Sequence, residues 1–278
     1  MQLYSINSGY FRLDGGAMFG VVPKSIWNKL YPADHNNMIP MAMRCLLIQE
    51  GDRLVLVDNG IGNKQDEKFF SHYYLFGDDS LDKSLAHHGF HRDDITDVIL
   101  THLHFDHCGG SIVREGDKHV PAFKNALFWS NERHWKWATE PNAREKASFL
   151  KENILPIKES GQLRFIEQSQ NDFPSFIKIR QAFGHTDAMM LPQVEYKGRT
   201  ILYMADLLPF AAQIPIPYIM AYDMFPLTTL NEKSSFLEEA VQNNYILFFE
   251  HDYHNECCEL QRTEKGIRAG KILRLEEL

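Results

Sequence analysis

The sequence predicts an α/β (α+β) fold, because short apolar runs rich in β-branched residues recur along the chain and stretches with helical spacing separate them. Two hairpin signals add that part of the sheet is antiparallel. The apolar runs occupy residues 46–48, 54–57, 98–100, 126–129, 176–179, 200–204 and 245–249, and they read as buried strands. Helical spacing marks 81–88, 131–150 (interrupted at Pro141) and 230–242, so helices are expected to cover the sheets. Gly51-Asp52 joins the first two strands, and Lys197-Gly198 precedes the run at 200–204. These turns argue against a purely parallel Rossmann or TIM arrangement.

A chain of 278 residues fits one large domain as readily as two smaller ones. No internal repeat, low-complexity run or Pro/Gly/Ser-rich linker divides it, so a single domain over 1–278 is expected. Residues 14–40 mix glycines and prolines with exposed-looking large apolars (Met18, Phe19, Trp27, Tyr31, Met38), the composition of a lid lying over an active site.

Composition narrows the function. A hydrophobic fraction of 44% with 24% charged residues supplies a substantial core and excludes disorder. The net charge of -8 lacks the basic footprint of a nucleic-acid binder. The N-terminus has no positive segment leading into an apolar one, and no run of 18 apolar residues follows, so neither secretion nor membrane spanning is expected. Cys45, Cys108, Cys257 and Cys258 form no C-x-x-C pair, which suits a reducing cytoplasm. Thirteen histidines are the unusual count, and they direct attention to metal chemistry.

The central feature is Thr101-His102-Leu103-His104-Phe105-Asp106-His107-Cys108-Gly109-Gly110, immediately after the apolar run that ends at Leu100. Imidazole and carboxylate donors suit zinc, iron, manganese or cobalt, and a strand end presents them rigidly. Gly109-Gly110 are expected to permit a tight turn. Further ligands should follow other strands at long range, and three candidates do: His185 after 176–181, Asp206 after 200–204 and His251 after 245–249. Cys108 adjoins the ligands but reads as packing.

His102-x-His104-x-Asp106-His107, followed by His185, Asp206 and His251, resembles the full ligand set of the metallo-β-lactamase-fold hydrolases, over residues from about Val57 to His251. The resemblance implies an αββα sandwich, two mixed sheets flanked by helices. It implies two divalent metal ions, zinc before iron or manganese, with His102, His104 and His185 on one, Asp106, His107 and His251 on the other, and Asp206 bridging. A carboxylate suits the bridge because it offers one oxygen to each of two cations about 3.5–4 Å apart. Val57-Asp58-Asn59-Gly60 resembles the family's V-D-T-G motif, whose Asp braces the metal-binding loop from behind; Asn59 departs from the Thr. The implied reaction is attack of a metal-bound hydroxide on an ester- or lactone-type carbonyl, with Asp206 and Asp106 as the catalytic carboxylates.

Among branches of that family, His104 stands where the diiron flavoproteins carry Glu. The bridging Asp206 separates the chain from lactamases with a Cys ligand, and the charge of -8 disfavours ribonuclease Z-like nucleases. The tail GIRAGKILRLEEL reads as a strand pair, whereas glyoxalase II-like thioesterases usually carry a helical region there. The remaining pattern is most similar to the quorum-quenching lactonases and related organophosphate and ester hydrolases, though Asp206-Leu207-Leu208-Pro209 lacks the Tyr that several lactonases carry after the bridging Asp. The expected partner is a small-molecule substrate. Met18-Phe19 and residues 210–224 suit equally an apolar pocket on the one hand and a homodimer surface or core on the other. The alternatives are a thioesterase or phosphoesterase of the same fold, or a metal-retaining binding module.

Overall fold

In the computed structural model, which describes residues 1–278, the apolar runs become strands of two six-stranded mixed sheets. The first sheet contains β1 (Gln2–Asp14), β2 (Met38–Glu50), β3 (Arg53–Val57) and β4 (Asp97–Ile99). After the separate hairpin β5 (Ile112–Glu115) and β6 (Lys118–Pro121), β7 (Leu127–Ser130) and β8 (Leu163–Phe165) complete it in the order β1-β2-β3-β4-β7-β8. The second sheet runs from β9 (Ile177–Ala182) through β10 (Met189–Tyr196), β11 (Arg199–Tyr203), β12 (Ile246–Phe248) and β13 (Cys257–Thr263) to β14 (Gly266–Leu273). The helices are α1 (Gly15–Phe19), α2 (Lys24–Trp27), α3 (Glu67–Ser71), α4 (Leu81–His87), α5 (Phe105–Cys108), α6 (Glu132–Thr139), α7 (Lys151–Glu159) and α8 (Pro226–Gln242). No helix is long and apolar enough to cross a membrane.

The chain forms two compact units, each made of two segments: Met1–Gly9 with Met43–Ser175, and Tyr10–Ala42 with Phe176–Leu278. In the first unit β3 pairs antiparallel with β2 through the Gly51-Asp52 turn and parallel with β4, which is itself parallel to β7. Strands β3 and β4 are buried along nearly their whole length, which explains their unbroken apolar runs. Leu47, Leu56, Val98, Phe128, Trp135 and Ile154 belong to one core cluster there. Asp97 opens β4 as a buried anchor: its Oδ1 accepts from Arg53 Nη1 at 2.9 Å and Trp129 Nε1 at 2.8 Å.

In the second unit β9, β10 and β11 form an antiparallel run, and β12 lies parallel to β11. The Lys197-Gly198 turn has positive φ at both residues (48° and 77°), the twist that suits a two-residue hairpin. Residues 14–40 differ from the exposed-looking segment that their composition predicts. Asp14 caps α1, and Met18, Phe19, Trp27 and Tyr31 are buried in this unit. Phe19 stacks on Trp27 at 5.2 Å and Tyr31 on Phe210 at 4.8 Å, so these side chains find aromatic partners within their own unit. All four cysteines are buried as thiols.

Candidate metal centre

In the first unit three parallel strands deliver the site residues. Because β3, β4 and β7 run in the same direction, the loops after them leave the same sheet edge. Asp58 follows β3, residues 101–107 follow β4, and Asn131 follows β7 as the N-cap of α6, which carries His134. Asp58 has φ 57°, a left-handed conformation that Asp tolerates better than most residues. This turns its carboxylate onto the motif: Oδ1 accepts from Thr101 N at 2.8 Å, and Oδ2 accepts from Thr101 Oγ1 at 2.6 Å and from His107 Nδ1 at 3.2 Å. Asn59 N donates to His107 O, and Gly110 N donates to Gly60 O. Leu103 N donates to His134 Nε2 at 2.9 Å, which holds the loop from its other side.

The protons on the histidines follow from these partners. Thr101 Oγ1 spends its hydrogen on Asp58, so at 3.1 Å it accepts from His102 Nδ1 and leaves a lone pair on His102 Nε2. His104 Nε2 donates to Glu145 Oε1 at 2.9 Å, which leaves a lone pair on His104 Nδ1. Those two lone-pair nitrogens stand 3.0 Å apart. Both side chains are buried, at 0% and 7% exposure, so positive charge, carried by a proton or a metal cation, is what resolves the repulsion. His107 donates Nδ1–H to Asp58, and its Nε2 lies 3.9 Å from Asp106 Oδ2.

The second unit repeats the arrangement with different strands. β9, β11 and β12 share a direction, so His185, Asp206 and His251 all lie just past C-terminal strand ends. Parallel pairing of Tyr203 with Phe248 places Asp206 beside His251. His185 Nδ1 donates to Asp223 Oδ1 at 2.9 Å, and His251 Nδ1 donates to the Ala42 carbonyl at 2.8 Å. The remaining nitrogens therefore carry lone pairs, and each faces a different oxygen of one carboxylate: His185 Nε2 to Asp206 Oδ2 and His251 Nε2 to Asp206 Oδ1, both at 3.2 Å. Lone pairs facing a carboxylate at that distance again call for positive charge.

Other predicted features resolve differently. Gly109 and Gly110 do lie in a tight 3-10 turn (Gly109–Ser111), but with an ordinary helical φ of -61° Gly109 does not need to be glycine for the turn itself. Its need is for close approach, because an added Cβ would lie 2.2 Å from Ile61 O; at Gly110 one would lie 2.2 Å from Asn59 O. Burial pushes the Cys108 thiol up to about 12, despite the nearby Lys64 charge, and its Sγ donates to Leu103 O; it packs, as expected. Burial, helped by the charge of Asp106, raises the Tyr73 hydroxyl to about 12. Sequence reasoning missed His134, Glu145 and Asp223. For His134 the signal was available, since it follows a strand parallel to β4; Glu145 and Asp223 lie in irregular segments whose path only tertiary structure reveals.

The donor chemistry fits divalent cations: the residues are imidazoles and carboxylates of metal-binding type, and each of the five imidazoles anchors its other nitrogen on a carboxylate, hydroxyl or carbonyl, as metal-ligating histidines do. Comparison with known proteins agrees. An N-acyl homoserine lactonase from a Bacillus species is 22% identical over 268 residues, covering 92% of this chain and 94% of the relative. A solved structure of a probable metal-dependent hydrolase from Staphylococcus aureus is 28% identical, with a TM-score of 0.87 over 98% of this chain and 96% of that one. The dizinc quorum-quenching lactonase AidC, solved with N-hexanoyl-L-homoserine as product, has 22% identity and a TM-score of 0.80 over 98% of this chain and 95% of its own. The family model of the Metallo-beta-lactamase superfamily matches residues 42–251, from the carbonyl that anchors His251 to His251 itself, and the chain belongs to that superfamily.

Proposed function

We propose that the chain is a dinuclear metal-dependent hydrolase acting on an ester- or lactone-type carbonyl. The observation that carries this reading is the way histidine nitrogens face one another in the first unit and the two oxygens of Asp206 in the second. In the assignment taken from the superfamily resemblance, His102, His104 and His185 serve one ion, Asp106, His107 and His251 the other, and Asp206 serves both. When bound, such an ion pair, of which zinc is the first expectation, supplies Lewis acidity toward a substrate oxygen and lowers the pKa of water into the neutral range.

The chain's own residues do the rest. Asp58, Glu145, Asp223, Thr101 and the Ala42 carbonyl fix five imidazole tautomers, so no ligand has to shed a proton or turn before use. Asp206 presents one oxygen to His185 and the other to His251, so its one negative charge serves two imidazoles. Asp106, 7% exposed, is the carboxylate that would orient a water activated there. Cys108 is fully buried and its thiol is pushed toward the neutral form, which disfavours it as a nucleophile. Similarity to lactonases supports a small neutral acyl substrate, and no extended basic surface is expected from a net charge of -8.

Protein reconstituted with zinc, manganese or iron should be assayed on a panel of lactones, aryl esters, thioesters, phosphotriesters and β-lactams. Lactones and esters are expected to turn over fastest. His104→Ala and Asp206→Asn are each expected to remove the activity while the fold persists. Preference for thioesters or phosphotriesters would reassign the substrate class, and a silent panel with bound metal would favour a binding module.

A further inference from the structure

The surroundings of Glu145 ask more of that residue than packing does. Its side chain is 2% exposed. Oε1 accepts from His104 Nε2 at 2.9 Å, and Oε2 accepts from Trp137 Nε1 at 2.7 Å and Asn142 Nδ2 at 3.2 Å. The Asn142 amide has a fixed orientation, because its Oδ1 accepts from Arg144 N at 2.9 Å and Glu145 N at 3.1 Å. These three partners of the carboxylate all donate, so they select a side chain that only accepts. A glutamine here would have to turn its NH2 group toward a donor.

We infer that Glu145 is a positioning residue for the ion that His104 holds, an inference that rests on the two-ion reading above. It fixes His104 in the Nε2–H tautomer, aims Nδ1 into the donor set, and places a buried negative charge one imidazole away from the ion. In that reading His104 serves one ion only, so its carboxylate acts on one ion position; the ion served by His107 has a carboxylate of its own, Asp58. Removing its charge should weaken that position by ~10–100-fold, the range seen when such outer partners of metal-ligating histidines are lost. The position served by His107 and His251 should keep its affinity.

The test is chelator competition for zinc, with cobalt(II) absorption spectra recorded in parallel, on full-length wild type, Glu145→Gln and Trp137→Phe. Trp137→Phe removes one donor to Oε2 and leaves the charge, so it covers the case in which Glu145→Gln does not fold. Wild type is expected to bind two ions. Glu145→Gln is expected to release one of them far more readily and to alter its cobalt spectrum, while Trp137→Phe weakens the same ion to a smaller extent. Wild-type affinities at both positions in both variants would overturn the role of Glu145 and leave the two-ion reading standing. A wild-type protein that binds neither zinc nor cobalt would overturn both.

Discussion

Replacing Asp58 with Asn tests the histidine proton assignments where they are most tightly coupled. Asp58 is fully buried and accepts three hydrogen bonds. Asn keeps the side-chain shape and tolerates the left-handed backbone, so the change isolates hydrogen bonding from strain. An amide offers one accepting oxygen. If that oxygen stays on Thr101 N, the NH2 faces Thr101 Oγ1 and the His107 Nδ1–H, and it satisfies neither as a carboxylate does. One buried donor left without an acceptor costs about 1–3 kcal/mol, and loss of charge assistance in the others brings the total to about 2–4 kcal/mol. There is a second consequence. Thr101 Oγ1 would accept from the new amide and turn its own hydrogen toward His102 Nδ1, which moves the His102 proton to Nε2, the ligating position. Urea unfolding of the metal-free protein should shift to a lower midpoint; tryptophan fluorescence follows it, since Trp129, Trp135 and Trp137 all belong to the first unit. Zinc affinity should fall by ~10–100-fold in the same variant. Unchanged stability together with unchanged zinc affinity would refute the proton assignment.

Three further predictions follow from other parts of the structure. Gly109→Ala drives a Cβ against the Ile61 carbonyl and should destabilise the protein by about 1–3 kcal/mol or more, read from urea midpoints; wild-type stability would show that the 60–62 loop yields freely. Cys108→Ala should leave hydrolysis intact, and wild-type Cys108 should resist iodoacetamide in the folded state, because the thiol is buried and stays protonated; rapid labelling or loss of activity would contradict this. Lys233 is buried in α8, donates to the carbonyls of Pro215 at 3.0 Å and Tyr218 at 2.8 Å, and burial lowers it to about 7 against the pull of Asp223. Above that pH the folded chain sheds a proton that the unfolded chain keeps until about 10.4, so this residue's contribution to stability rises with pH across that window, by at most ~1.4 kcal/mol per pH unit; below about 7 both states are protonated and its desolvation cost is fully felt. The stability difference between wild type and Lys233→Met should therefore grow in favour of wild type from pH 7 to 10, and parallel profiles would sink the argument.

The parts of the fold that were legible in the sequence are those where burial is two-sided. Each of the seven apolar runs overlaps a strand to within one residue at its ends, and the ligands were found because each stands just past the end of one. β1 escaped notice, because its side chains are mostly half-buried and Gly9, at φ 135°, breaks its alternation. α7 escaped because Pro156 interrupts a helical pattern in sequence yet is accommodated in the helix. Helix α8 starts four residues before its periodicity becomes visible, with Pro226 at its first position, where a missing N–H costs nothing. Site residues supplied by irregular chain left no trace: Glu145 and Asp223 are ordinary acidic residues in sequence, and their roles exist only through His104 and His185. The large apolars of 14–40 misled for a related reason. Glycine and proline nearby suggest a surface loop, whereas Met18, Phe19, Trp27 and Tyr31 are buried, Tyr31 stacked on Phe210 and Phe19 on Trp27.

The central claim, that these histidines and carboxylates form a two-ion donor set, is tested most directly by counting metal. Protein reconstituted with zinc and freed of loosely bound ions should be analysed by inductively coupled plasma mass spectrometry, and a crystal of it by anomalous scattering at the zinc edge. The expected result is two ions per chain, with one anomalous peak bonded to His104 Nδ1, the other to His251 Nε2, and Asp206 contributing an oxygen to each. One ion per chain, or peaks bonded instead to His104 Nε2 or His251 Nδ1, would contradict the account.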